Sequence, residues 1–449
     1  MAKKSTTQYV CQQCNAVFTK WAGRCENCGA WNSLVEQAAS NGTNVVSTSR
    51  GKALKALSIA DVAPSDAKGR ITTGMHDVDE VLGGGIVAAS VVLIAGQPGI
   101  GKSTVLMQIA YEVSKTRKVL YVSGEESAGQ VKVRADRLGA EHKNLYLASS
   151  TSADDIAATI ASGDFDVVIV DSIQTLAMAD ISSASGSVSQ ITNSSNLLTQ
   201  AAKKTNTALI IVGHVTKEGS IAGPKILEHM VDVVLHLEGD RYGGFKMLRA
   251  IKNRYGSTSE VGIFEMRDNG LRAVENPSAA LLEERTSTDG SVILATIEGN
   301  RPLLVEIQAL VNSTHFGYPK RTASGFDLNR LNVLIAVLER RTKLNLSDSD
   351  IYINVVGGIK LQDPAADLAV CMAIASASKG MRLDPHAVVF GEVGLGGEIR
   401  SVPYMDRRVA EAEKLGFTYA ISPKAHESSA FLKPTASMRD ALNTYLLKT

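Results

Sequence analysis

Long apolar runs are missing from this 449-residue chain, although 44% of its residues are hydrophobic. No segment reaches the roughly eighteen consecutive apolar residues of a membrane helix. The opening Met1-Ala2-Lys3-Lys4-Ser5-Thr6-Thr7-Gln8 lacks the apolar core of a signal peptide. The expectation from both absences is a cytoplasmic protein without a membrane partner. An excess of one charge sign is missing too. With 47 Lys+Arg against 46 Asp+Glu the net charge is +1, so no global field draws the chain to nucleic acid, and any such binding must come from local basic loops. Tryptophan is reduced to Trp21 and Trp31, and cysteine to five residues. The length itself excludes one ordinary core and implies two or three domains.

Four of the five cysteines are concentrated near the start. Cys11-x-x-Cys14 and Cys25-x-x-Cys28 each offer two thiolates to one tetrahedral ion, the pattern of a Cys₄ zinc site. A redox pair or two disulfides is the competing reading, disfavoured in a reducing compartment. So short a segment cannot build a core alone, so metal binding would supply much of its folding energy. Both tryptophans lie in it, so a chelator is expected to shift their emission. Residues 37–70, rich in Ala, Ser, Thr, Asn and Gly, read as a linker.

The richest stretch is Gly96-Gln97-Pro98-Gly99-Ile100-Gly101-Lys102-Ser103-Thr104, which fits the phosphate-binding pattern G-x-x-x-x-G-K-[ST]. Val91 to Ala95 before it reads as a buried strand, and Val105, Leu106, Ile109 and Val113 after it recur at helical spacing. Glycines let backbone N–H groups turn inward around an anion, and the helix N-terminus adds its positive dipole end. Lys102 is expected to reach the β- and γ-phosphates of ATP, and Ser103 to hold Mg²⁺. Further strands at 119–123, 145–147, 167–171 and 208–213 alternate with helices at 130–138 and 154–161, which implies a mostly parallel sheet. Asp171 ends one strand, where an acid orients Mg²⁺ and its waters; the bland alternative is a turn cap. Glu125-Glu126 ends another, where a glutamate aligns or deprotonates the attacking water. Glu125 is the favoured member because it lies closer to the strand end.

Residues Gly74 to Leu82, the phosphate loop, Glu125-Glu126 and Asp171 together resemble the RecA-type ATPase core, to which the DnaB and KaiC branches are also similar. Lys252-Asn253-Arg254-Tyr255-Gly256 closely resembles the signature pentapeptide of the bacterial RadA (Sms) family. The four-cysteine finger in front and a Lon-like domain behind complete that layout over nearly the whole chain. One departure is Val87-Ala88-Ala89-Ser90, where many such cores carry a glycine before the serine; a turn is affected, not the chemistry. The resemblance implies an α/β fold with a small N-terminal zinc ribbon (1–36), the linker (37–70), a RecA-like P-loop core (71–276) and a Lon-protease-like α+β domain (286–449). It further implies a hexameric ring that hydrolyses Mg-ATP between subunits. That ring would act on single-stranded and branched DNA, beside a RecA-like recombinase, in DNA repair, branch migration and the stress response.

Along the extended run from Ile251 to Tyr255, Lys252 and Arg254 fall on one side. In hexamers of related type such a pair reaches the neighbour's γ-phosphate; a solvated basic strand edge and direct DNA contact are the alternatives. Two loops match the places where RecA-type proteins hold single-stranded DNA: residues 182–187, flexible by composition, and 216–225, where Lys217 and Lys225 would pair with phosphates. His214 is either a γ-phosphate sensor or a satisfied structural histidine.

Composition changes near Asn276-Pro277-Ser278, and strands near 291–298, 303–310 and 351–356 mix with helices near 329–340, 365–378 and 404–415. Cys371 reads as a packed core thiol. Asn354-Val355-Val356-Gly357-Gly358 and the stretch 389–397 resemble the Lon peptidase domain. Its catalytic residues do not carry over, because Ala365 occupies the serine place and the lysine place falls near Asp406. Without nucleophile or base the domain is expected to be a scaffold. Arg340, Arg341, Lys343, Lys320 and Arg321 are candidates for DNA contact or plain solvated charge. The rival functions are a RecA-class strand-exchange filament, an ATP-driven peptidase, opposed by Ala365, and a KaiC-like regulatory ATPase, opposed by the finger and the pentapeptide.

Overall fold

The computed structural model describes residues 7–14, 16–38, 58, 69–214, 226–239, 245–314, 318–425 and 429–448. The chain divides into two compact units. The first holds Met1–Glu238, Leu248–Thr258 and Arg267–Leu271, and the second Gly239–Met247, Ser259–Met266 and Arg272–Thr449.

The first unit begins with a three-stranded antiparallel ribbon, β1 (Thr7–Cys11), β2 (Val17–Phe18) and β3 (Leu34–Ala38), in the order β2-β1-β3. Its whole core is Cys11, Cys25 and Leu34, with Tyr9, Cys14, Phe18 and Ala22 packed around them. So small a core cannot offset the chain entropy of ordering the segment, which leaves the cysteines to do so through a metal.

Beyond it α1 (His76–Leu82) stops at Gly83 in the left-handed conformation. Then come β4 (Val91–Gly96), α2 (Lys102–Ser114), β5 (Val119–Ser123), α3 (Ala128–Arg137), β6 (Leu145–Ser149), α4 (Ala153–Ala161), β7 (Val167–Asp171), α5 (Val188–Thr205), β8 (Ala208–His214), α6 (Ile226–Met230) and β9 (Val233–Gly239). These strands lie side by side as β6-β5-β7-β8-β4-β9, every pair parallel, and β10 (Lys246–Asn253) follows β9. Every residue of β4, β5 and β7 is buried. Strands covered on both faces read as unbroken apolar runs, which is why the sequence showed them so clearly.

Two local features depart from the plain sequence reading. Ala89, just before Ser90, has φ of 59°, a left-handed conformation that costs a residue with a Cβ roughly 1–2 kcal/mol. The stretch 182–187, expected to be flexible, is tied down. The buried Gln190 amide donates to the carbonyls of Ile181 and Ser183, both at 3.0 Å, and its oxygen accepts from Met178 N at 2.9 Å. Ser182 also donates to the Glu36 carboxylate of the ribbon at 2.9 Å. Composition alone could not show these tethers.

The second unit is built on a mixed seven-stranded sheet in the order Arg321–Ser324, Ser349–Val355, Arg301–Ser313, Ser291–Glu298, Ala387–Val389, Tyr419–Ser422 and Leu432–Pro434. Five helices accompany it: α7 (Pro277–Leu282), α8 (Leu328–Thr342), α9 (Ala366–Lys379), α10 (Met405–Lys414) and α11 (Met438–Tyr445). Helix α9 is buried all round from Ala366 to Ser376, as an apolar helix without a polar face must be. Cys371 sits within it, fully buried, and burial pushes its thiol well above the ordinary range, so it is an inert core residue. No described helix is long and apolar enough to cross a membrane.

Candidate nucleotide site

Parallel strands bring their carboxyl ends to one edge of the sheet, and register decides what meets there. Gly96 of β4 pairs with His214 of β8, and Ser123 of β5 pairs with Asp171 of β7. The phosphate loop leaves β4 at Gly96 and turns through Gln97, Pro98, Gly99 and the buried Ile100 to Gly101, whose φ is 116°. Gly101 caps α2 without a side-chain hydrogen bond, so the helix start offers its N–H groups to an anion rather than to a capping side chain. Ser103 and Thr104 lie in the first turn of α2. His214 ends β8; its side chain is outside the described residues, as are Lys217 and Lys225.

Lys102 is 5% exposed and lies back across the loop, donating to the carbonyls of Gly96 at 2.9 Å and Gln97 at 3.0 Å. Burial lowers its pKa, and the nearby carboxylates of Asp171 and Glu125 partly oppose that shift. Lys102, Asp171 and Glu125 are thus within electrostatic reach of one another. Neutral hydroxyls hold the two carboxylates. Tyr121 donates to Asp171 Oδ2 at 2.6 Å, and Ser172 donates to Glu125 Oε1. Burial raises the Tyr121 pKa well above its usual value, so the phenol keeps its proton and remains a donor. Glu126 turns away, with both carboxylate oxygens on Arg134 of α3. The pair that the sequence left open is separated here: Glu125 faces Lys102, and Glu126 is spent on a helix.

The pentapeptide has a partner at every position. Lys252 Nζ donates to the carbonyls of Glu228 at 2.6 Å and Val231 at 2.8 Å. Asn253 Nδ2 reaches Val81 O, and its oxygen accepts from Tyr255 N at 2.9 Å. Arg254 Nη1 pairs with Asp232 Oδ1 at 3.0 Å. Tyr255 O accepts from Arg70 at 2.7 Å. A Cβ on Gly256 would lie 2.9 Å from the Cα of Gly83, so two glycines are needed for the turn after α1 to touch this segment. Lys252 and Arg254 do share one side, facing the segment from Glu228 to Asp232. Tyr121, Ser172, Arg134, Asp232 and Arg70 were missed from the sequence. All but Arg134, which lies eight residues from Glu126, act across 22 or more residues, and no local pattern marks such a partner.

The ribbon cysteines converge. All four Sγ atoms lie within 4.8 Å of one another, with Cys11–Cys28 and Cys14–Cys25 each at 3.6 Å. A tetrahedron with Zn–S bonds of about 2.3 Å has edges of about 3.8 Å, so the four thiols fit that ion. None is in a disulfide. Cys11 also contacts Ser33 Oγ, and that hydrogen bond is the main reason its pKa falls to about 6, towards the thiolate a metal needs.

In the second unit Ala365 is fully buried and caps α9. Asp363 accepts from Arg408 Nη1 at 2.7 Å and from Thr296 Oγ1 at 3.1 Å, while Asp367 takes both ends of Arg330. Asp406 lies in the first turn of α10; the cation that reaches inward is Arg408, two residues on and 1% exposed. A guanidinium stays protonated and cannot act as a base. Arg340 and Arg341 end α8, Lys343 is its left-handed cap, and Lys320 and Arg321 enter the edge strand Arg321–Ser324.

Three family models match the chain: an AAA domain over residues 59–220, a rubredoxin metal binding domain over 9–36, and subunit ChlI of Mg-chelatase over 329–426. The DNA repair protein RadA of Halalkalibacterium halodurans is 48% identical over 429 residues, covering 94% of this chain and 93% of that protein. The protein of the same name from Bacillus subtilis is 47% identical over 456 residues, covering 99% of each. A solved structure described as the RadB recombinase aligns at a TM-score of 0.37 and 21% identity, over 46% of this chain and 100% of that one. At nearly half identity over almost the full length, the chain belongs to the family of the DNA repair protein RadA.

Proposed function

We propose that the protein is a DNA-dependent ATPase of helicase type that processes recombination intermediates by branch migration. It works as a hexameric ring, with Mg-ATP hydrolysed between subunits. Lys102 and the loop from Gly96 to Thr104 hold the phosphates, Ser103 and Asp171 hold Mg²⁺ with its waters, and Glu125 aligns the attacking water. Lys252 and Arg254 serve the neighbouring subunit's γ-phosphate. Single-stranded DNA is held by loops that include Lys217 and Lys225, with Lys252 and Arg254 as further DNA contacts, and a RecA-like recombinase is the protein partner. The domains are the ribbon 1–36, with zinc on Cys11, Cys14, Cys25 and Cys28, the linker 37–70, the ATPase 71–276 and a peptidase-like scaffold 286–449.

One observation carries the intersubunit reading. Asp232, the partner of Arg254, accepts from Val91 N at the start of β4, whereas the phosphate loop leaves that strand at its end. At about 3.3 Å per residue the length of β4 sets the cation mount roughly 16 Å from its own subunit's phosphate site. Cations placed there suit a different copy's nucleotide. A cation supplied in trans is worth roughly 10³–10⁵ in rate in GTPases.

The test measures ATP turnover with and without single-stranded DNA, then unwinding of a forked duplex, and then turnover of wild type mixed with Arg254→Ala. Stimulation by DNA, unwinding, and a non-linear fall with the variant fraction are expected. Full turnover by an unassembled subunit indifferent to DNA excludes the reading.

A further inference from the structure

Asp232 belongs to no motif, yet it joins two parts of the ATPase unit. Its side chain is 3% exposed. Oδ2 accepts from Val91 N at 3.0 Å, Oδ1 takes Arg254 Nη1 at 3.0 Å, and Lys203 Nζ of α5 stands 3.6 Å from the same Oδ1. The backbone repeats the connection: Asp232 N donates to Val91 O at 2.9 Å, and Arg254 N donates to Asp232 O at 3.2 Å. A buried carboxylate needs a charged partner. Here Lys203 and, closer, Arg254 serve, and the Arg254 side chain is 55% exposed. One end of the guanidinium is fixed by the interior while the rest faces outward.

We infer that Asp232 is the positioning residue for Arg254: it mounts the cation offered to a neighbouring subunit on the first residue of the phosphate-loop strand. The mount is rigid because β4 lies between β8 and β9 in the sheet. Lys252, held by the carbonyls of Glu228 and Val231, is fixed to the same short segment. Both cations therefore take their orientation from residues 228–232. A displacement of about 1 Å at a group that contacts the transition state costs up to about a hundredfold in rate. The inference rests on the trans reading above and adds the residue that makes it geometrically exact enough to work.

The experiment is complementation in the full-length protein. Asp232→Asn keeps an oxygen for Val91 N but removes the charge that holds Arg254. Alone it should lose about tenfold or more in ATP turnover, with KM for ATP unchanged. Lys102→Ala subunits cannot use ATP but present an intact Arg254. Mixing the two should restore turnover to about threefold or more above either alone, because the Asp232→Asn site is then served by a sound neighbour. A merely structural Asp232 would damage its own phosphate loop through Val91, and no neighbour would repair that. Absence of recovery overturns the inference if Arg254→Ala mixed with Lys102→Ala does recover. If that control also fails, the trans reading itself falls. Should Asp232→Asn not fold, Asp232→Glu, which keeps the charge but displaces it by one methylene, is carried through the same mixtures with the same two outcomes.

Discussion

Around the phosphate loop, Lys102 rests on two carbonyls, Asp171 on the Tyr121 hydroxyl and Glu125 on the Ser172 hydroxyl. In the second unit, Asp363 and Asp367 are each closed onto an arginine beside a cavity of ≈ 830 Å³. Neutral partners fix a charged group in direction and leave its charge for a ligand. At Asp363 and Asp367 an arginine offsets the carboxylate's charge, whereas Arg254, ion-paired to Asp232, keeps a side chain 55% exposed and can still face a ligand. The kind of partner is one difference between the candidate nucleotide site and the cleft of the second unit.

The largest expected effect probes the first half of that contrast. Glu125→Gln should lower ATP turnover by about 10²–10⁴-fold, the range for loss of a positioned acid or base. Glu126→Gln, whose loss only frees Arg134, should stay within a few fold; equal losses in steady-state assays would break the distinction. Next in size, Arg408→Met leaves Asp363 buried and unpaired and should cost about 3–5 kcal/mol of stability. Denaturant unfolding reads this, and turnover per folded molecule should not change. Smaller again is chelation. The ribbon thiols are a third case, charges held for an ion, so metal removal should abolish amide protection in β1 and β3. Trp21 and Trp31 are already 60% and 73% exposed, so the emission shift expected from the sequence should be slight. Ala89→Gly relieves a left-handed alanine and should add about 0.5–1 kcal/mol. Last, Ala365→Ser should yield no peptide cleavage, since the carboxylate beside it, Asp363, is closed onto Arg408; measurable hydrolysis would erase the difference between the two regions.

Much of this was legible in the chain. The buried strands announced themselves as apolar runs, the cysteine spacing gave the ribbon, and the phosphate loop, Asp171 and the glutamate pair could be placed at strand ends. Helix and strand limits moved by a few residues, as with Arg301–Ser313 in place of a strand near 303–310, because end residues are set by pairing and caps rather than by periodicity. Illegible were the contacts that choose between equivalent residues. Nothing local distinguishes Glu125 from Glu126 until Arg134 and Ser172 are brought to opposite sides of them. Likewise Arg408 gives no sign in sequence that it, rather than its neighbour Arg407, turns inward to Asp363.

The sequence by itself determined which chemistry the molecule carries. The glycine-rich phosphate loop and the paired cysteines are properties of residue type at fixed spacing, and short-range backbone geometry suffices to read them. The tertiary structure alone decided which charges remain available. Asp232 meets Arg254 across 22 residues, at the ends of the neighbouring strands β9 and β10, and Tyr121 meets Asp171 across 50, where β5 and β7 pair in parallel register.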